Sequence, residues 1–209
     1  MLAYVDASVL ATPLPRTVLY LASAYEECDF SLTFSPYVEA EADRALKPGA
    51  RKVSELRERW LWQVTPDHPD ANSLNLDDTN WKDKPVLAAA VHAGACCVIT
   101  GNVRHFGERD LARFGMYAIH PGLFLAHRLT AETYAAILGM IAAGRMRNPR
   151  TVETIHVEQV AVELPDLFQR FQNIFGPINM PNVPNLPHLV VRGVWDNGGS
   201  LTDINPSEQ

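Results

Sequence analysis

The stretch ACCVITGNVRHF, Ala95 to Phe106, carries the reading of the fold. Cys96, Cys97, Val98 and Ile99 form an apolar run without alternation, and the chain then turns polar at Thr100-Gly101-Asn102. A short run of this kind suits a strand covered on both faces, the usual strand of a parallel sheet flanked by helices. Ligands of such sheets bind at the carboxyl ends of the strands. A hydroxyl, a glycine and an amide at a strand exit therefore mark a candidate site.

The sequence on either side has the same character. Upstream, Asp83 and a proline open a helix through KPVLAAAVHAG, with Gly94 as its stop. LAYV (Leu2–Val5) is a first strand that ends at Asp6, and a helical segment follows around Arg16–Cys28, with Val18, Leu21, Ala22 and Tyr25 on one stripe. FSLTFS (Phe30–Ser35) is a second strand. Pro36 suits the first turn of a helix carrying YVEAEADRALK, which Pro48-Gly49 stops. A further helix runs over Arg51–Trp62, and an Asp-, Asn- and Pro-rich loop over Thr65–Asn80. Downstream, MYAI (Met116–Ile119) is another strand, and His120-Pro121 opens the next helix. From Thr130 helical patterns dominate, through TAETYAAILGMIAAG, Thr151–Leu164 and PDLFQRFQNIF. Strands alternating with helices predict an α/β fold with a mostly parallel central sheet. The chain divides into a core over 1–127, a helical extension over 128–175 and a tail over 176–209. Five prolines between Pro177 and Pro206 make that tail loop-like or an interaction arm.

Composition narrows the classes. The chain has 209 residues, 47% of them hydrophobic, which suits a single globular domain with an appendage. No apolar run approaches the ~20 residues that span a bilayer, and Met1 leads into Tyr4-Val5-Asp6 without a basic leader, so the expected location is the cytoplasm. Three cysteines, two of them adjacent, fit no zinc spacing and read as reduced, buried thiols. A net charge of −6 gives no general support for nucleic-acid binding. Yet six Lys or Arg lie between Arg44 and Arg59, and Arg145, Arg147 and Arg150 form a second basic patch. Each patch alone reads first as a solvated face.

Acidic residues gather at the predicted sheet edge. Asp6 follows the first strand, Asp83 opens a helix, and the helix after the second strand offers Glu39, Glu41 and Asp43. Val38, Ala42, Ala45 and Leu46 form its expected inward stripe, which both Glu41 and Glu39 border. Carboxylates gathered in one crevice repel unless cations neutralise them, and hard oxygen donors select Mg²⁺ or Mn²⁺. Such a site can activate water for in-line displacement at phosphorus. Each residue also has a plainer reading. Asp6 can be a strand-end turn, Asp83 a helix cap, Ser8 a cap as readily as a phosphate contact, and Asn102 a turn residue. His92 reads as packed or solvent-facing, and His105 as structural or at a substrate edge. Met140, Met146 and the Trp60-Leu61-Trp62 cluster read as packing. A haloacid-dehalogenase-type phosphohydrolase also starts from an aspartate after its first strand, but it needs a second one where Ser8 stands.

Taken together, YVDASVL, SPYVEAEADRAL, DKPVLAAAVHAGACCVITGNVRHF and AIHPGLFL resemble, in order and spacing, the blocks of PIN-domain ribonucleases, above all the VapC-like toxins. The resemblance covers about residues 1–127, and the third block is the most specific. It implies a three-layer α/β/α fold, Rossmann-like, with a central parallel sheet. It also implies a Mg²⁺- or Mn²⁺-dependent endoribonuclease, the toxin of a toxin–antitoxin pair, cutting structured RNA to leave 5′-phosphate and 3′-hydroxyl ends. The family's metal ligands fall on Asp6, Glu41 and Asp83. Its Thr-x-Asp block falls on Thr100 and Asn102, so an amide stands where the family has a carboxylate and a second metal loses a charged ligand. Thr100 is expected to orient Asp6 or a water, and Gly101 to let the backbone pass close under the site. A homodimer, silenced by a small antitoxin, is the expected assembly. The competing expectation is a non-catalytic PIN-like module, eroded at Asn102, that binds RNA or a partner. The region beyond Leu129 resembles the helical extension of longer VapC-like proteins only loosely.

Overall fold

The structure, a computed structural model, describes residues 1–60, 62–176 and 191–193. Six strands form one sheet in the order β3-β2-β1-β4-β5-β6. They are β1 (Leu2–Val5), β2 (Ser31–Phe34), β3 (Gln63–Val64), β4 (Cys97–Ile99), β5 (Tyr117–Ile119) and β6 (Val191–Gly193). The first five run parallel, and β6 pairs antiparallel to β5 at the edge. Ala3, Tyr4 and Val5 of β1 and all three residues of β4 are at most 1% exposed, as expected of strands with helices on both faces. The fold is the expected α/β class, a three-layer arrangement around a mostly parallel sheet.

After β1 come α1 (Ala7–Leu10) and α2 (Pro13–Ala22), and after β2 come α3 (Pro36–Ala45) and α4 (Val53–Trp60). Helix α5 (Lys84–His92) precedes β4, α6 (Glu108–Arg113) links β4 to β5, and α7 (Pro121–Arg128) follows β5. Gly94, at φ +68°, ends α5 in the left-handed conformation that a side chain would resist. The extension contains α8 (Ala131–Ala143), α9 (Val152–Ile155), a π-helical turn (His156–Val160), α10 (Ala161–Glu163) and α11 (Pro165–Arg170). It packs on the core through α11 against α7 and α8 against α2, and both share one continuous apolar interior.

Several local expectations change. The helix expected over Arg16–Cys28 starts at Pro13, where the prolines suit its first turn, and ends at Ala22. Helix α3 stops at Ala45, and Leu46 is extended, so the inward stripe ends at Ala42 and Ala45 is exposed. Met140 and Met146 are not packing residues, being 43% and 88% exposed. Trp60 and Trp62 do pack, with Tyr20 stacked on Trp60 at 4.1 Å and Phe34 edge-on to Trp62 at 5.5 Å; Leu61 lies outside the described residues. Within the expected tail, Val191–Gly193 form a strand, and 177–190 and 194–209 lie outside the described residues. The three cysteines are free, with Cys28 and Cys97 buried.

Connectivity fixes where a site can form. From β1 the sheet grows through β2 and β3 on one side and through β4 and β5 on the other. The carboxyl ends of β1 and β4 therefore flank the point where strand order reverses, the position of ligand crevices in open α/β sheets. Asp6 leaves the first of these ends and Thr100 the second.

Candidate active site

At that crevice the backbone N–H of Asp6 donates to the Ile99 carbonyl at 3.0 Å, which ties the end of β1 to the end of β4. The Asp6 carboxylate is 4% exposed and is held by three donors. Its Oδ1 accepts from the Ala7 N–H at 2.7 Å, and its Oδ2 accepts from Ser8 Oγ at 2.6 Å and Thr100 Oγ1 at 2.8 Å. The direction of these bonds is fixed by their neighbours. Thr100 Oγ1 accepts from the Asn102 N–H at 2.9 Å, and Ser8 Oγ accepts from the Gly101 N–H at 3.0 Å, so each hydroxyl sends its one hydrogen to Asp6. Asp6 thus caps α1 and is at the same time an oriented carboxylate. Thr100 contacts Asp6 directly, through its hydroxyl. The Gly101 backbone passes close to the site, its N–H 3.0 Å from Ser8 Oγ, and a Cβ there would meet the same oxygen at 3.5 Å, an ordinary contact. The Asn102 side chain is exposed and does not cap the turn that follows it.

Asp83 reaches the crevice on a clamped loop. Asp110 Oδ2 accepts from the Asp78 and Thr79 N–H groups, Thr79 Oγ1 accepts from the Gly107 N–H, and the Asn80 N–H donates to the His105 carbonyl at 2.8 Å. The Asp83 and Lys84 N–H groups then donate to the Asn80 carbonyl, closing the turn that starts α5. Asp83 stands at the cap position of α5 but makes no side-chain cap bond. Its Oδ2 lies 3.3 Å from His105 Nδ1 instead.

On α3 the structure separates the three acids. Glu39 turns to Arg57 of α4 at 3.0 Å. Asp43 accepts from the Val53 N–H and the Ser54 hydroxyl, which caps α4. Glu41 alone faces the crevice electrostatically. Burial raises its pKa, and the charges of Asp6 and Asp83 raise it further against the opposing pull of Arg44 and Lys82. Asp83 is raised by burial and then by Asp6, with His105 and Lys82 opposing. The Tyr37 phenol is raised by burial and by Glu41, Asp83 and Asp6, so it borders the same group. Asp6, Glu41 and Asp83 therefore share one electrostatic environment, which Glu39 and Asp43 do not enter.

A shared field is not a shared ligand position. Among the described residues no group of three or more His, Cys, Asp or Glu side chains is arranged to hold a metal ion. The set suits a hard divalent cation by donor chemistry and by its negative charge, and it is not assembled into a closed ligand group. Sequence reasoning missed Tyr37 and Lys82, both within Coulombic reach of these acids, and it did not pair His105 with Asp83.

The two basic patches meet elsewhere. Arg51 from the first lines a cavity of about 620 Å³ with Arg145, Arg147 and Asn148 from the second. Arg150 is paired with Glu158 instead.

Comparison with known proteins finds a relative over part of the chain. The chain is 39% identical over 69 residues to a protein of Mycobacterium tuberculosis (strain ATCC 25618 / H37Rv) named "Putative ribonuclease VapC50". The match covers 32% of this chain and 41% of the relative. No family model matches the chain, and no solved structure does. Among the described residues no helix is long and apolar enough to cross a membrane.

Proposed function

We propose that this chain is an endoribonuclease of the VapC-like kind, hydrolysing phosphodiester bonds of structured RNA with the help of Mg²⁺ or Mn²⁺, and that it is the toxin of a toxin–antitoxin pair. The observation that carries the reading is the mutual repulsion of Asp6, Glu41 and Asp83 at the strand-order reversal, beside a Thr100 that orients Asp6. The likeness to the mycobacterial protein, named as a ribonuclease, supports the chemistry, and the toxin role rests on the resemblance of the sequence blocks.

In this reading Asp6, Asp83 and Glu41 hold the cation. When bound, it supplies positive charge against the phosphoryl oxygens and lowers the pKa of water. Thr100 and Ser8 hold the Asp6 carboxylate in one orientation through their hydroxyls. His105 fixes Asp83 in the same way. Lys82 lies within Coulombic reach of Glu41 and Asp83, where it meets a phosphate entering the crevice. Arg51, Arg145 and Arg147 grip the backbone of the same RNA at a distance from the cut, and such contacts bind without reading sequence. Asn102 adds an amide without charge, which suits one cation better than two. A homodimer and a small protein antitoxin complete the proposal.

Purified protein incubated with tRNA or ribosomal RNA tests this. Cleavage with Mg²⁺ or Mn²⁺, its loss in EDTA, and 5′-phosphate ends on the products are the expected results. A second reading is favoured by the open ligand group and the exposed Asn102, namely a non-catalytic RNA-binding module. Tight RNA binding that ignores EDTA, with no cleavage in either metal, selects it.

A further inference from the structure

Trp81 is 74% exposed, the most exposed aromatic side chain among the large hydrophobics of the described residues. A tryptophan usually buries its ring, and one left in water beside a site points to a partner. Its setting is rigid. The Asn80–Lys84 turn is closed by the Asp83 and Lys84 N–H groups on the Asn80 carbonyl, and the Lys82 N–H donates to Asn80 Oδ1 at 3.1 Å. The preceding residues are clamped to Asp110 and His105. The indole therefore projects from fixed backbone two residues before Asp83.

Two neighbours complete the surface. The Lys82 ammonium lies 5.5 Å from the Trp81 ring centre and within Coulombic reach of Glu41 and Asp83. Tyr37, 37% exposed, approaches the same carboxylates from α3. One exposed ring thus lies against a cation that reaches the acids, and a second exposed ring lies within Coulombic reach of the same acids.

We propose that Trp81, with Tyr37 as the second ring, is a stacking platform for unpaired nucleobases flanking the scissile phosphate. This deepens the nuclease reading and rests on it for the identity of the phosphate. Bases of a strand can splay onto aromatic faces while Lys82 meets the phosphate between them; bases within an A-form duplex are stacked on one another and offer no free face. Stacking tolerates any base, so the platform selects strandedness and not sequence.

The test is a binding titration in EDTA, which needs no cleavage. Full-length protein is titrated by tryptophan fluorescence and by anisotropy of a labelled ten-nucleotide single strand, with a blunt RNA duplex as the other arm. Trp81→Ala is expected to weaken single-strand binding about 5- to 150-fold. Trp81→Phe, which keeps a ring, retains most of it, and duplex binding changes little in either variant. Because Trp81 is exposed, an unchanged thermal midpoint confirms that the variant is folded. Equal single-strand affinity in Trp81→Ala and wild type overturns the proposal, as does an equal loss on duplex. A loss of self-association in Trp81→Ala, with RNA binding intact, also overturns it and assigns the ring to a protein contact. If wild type cleaves RNA while Trp81→Ala binds normally, the platform fails and the nuclease reading stands. If wild type never cleaves, the nuclease reading fails by itself.

Discussion

Replacing Thr100 by valine keeps the shape of a fully buried side chain and removes one hydroxyl. That hydroxyl donates to Asp6 Oδ2 at 2.8 Å and accepts from the Asn102 N–H at 2.9 Å. Hydrogen bonds to a charged group contribute about 1.5–3 kcal/mol to stability. Asp6 Oδ2 keeps its bond from Ser8 at 2.6 Å, which places the loss toward the lower half of that range. For a chain of this length a loss of 1 kcal/mol lowers Tm by about 2–4 °C, so Thr100→Val is expected to lower it by about 3–9 °C. Circular dichroism melts of wild type, Thr100→Val and Thr100→Ser measure it, with the serine variant near wild type. Thr100→Val combined with Ser8→Ala gives a coupling energy of about 0.5–3 kcal/mol if both hydroxyls serve one carboxylate. Identical melts for Thr100→Val and wild type, or strict additivity with Ser8→Ala, would refute the positioning argument.

Without a divalent cation, stability should fall as pH rises above the ordinary carboxylate range, since Glu41 and Asp83 have raised folded pKa values and their contribution is lost as they ionise. Urea titrations across that range with Glu41→Gln and Asp83→Asn should show a flatter slope. Gly107→Ala drives a Cβ into the Asp78 backbone, which forces the loop carrying Asp83 to shift; a cost of about 1–3 kcal/mol and a matching loss of RNA cleavage are expected in paired unfolding and activity assays. Arg145→Ala and Arg51→Ala should each reduce the slope of log affinity for RNA against log salt by about 1, measured by anisotropy between low and moderate salt. Tyr134→Phe removes the 2.7 Å bond to the fully buried His156 and should cost about 1–3 kcal/mol in urea unfolding, with RNA binding unaffected.

What the sequence revealed and concealed has a common physical basis. β1, β4 and β5 are apolar and almost wholly buried, and β2 buries Leu32 and Phe34, so their burial is written in residue type. β3 has two residues and β6 three, and their pairing rests on backbone bonds that residue type does not encode. Helix α6, six residues of mixed charge after Gly107, has too few turns to show a period. At the site, Asp6 and Thr100 were legible because each ends a strand. The choice between Glu41 and Glu39 was not, since both border the same stripe and only Arg57, on another helix, draws Glu39 away. The pairing of Asp83 with His105 likewise depends on a loop clamp between residues far apart in the chain, for which no local pattern exists.

The central claim is that Asp6, Glu41 and Asp83 act together on one divalent cation. Mn²⁺ binding by titration calorimetry, measured beside RNA cleavage for wild type and Asp6→Asn, tests it most directly. The account predicts one saturable site in wild type, loss of that site in Asp6→Asn, and loss of cleavage with it. Cleavage or Mn²⁺ affinity undiminished in folded Asp6→Asn contradicts it.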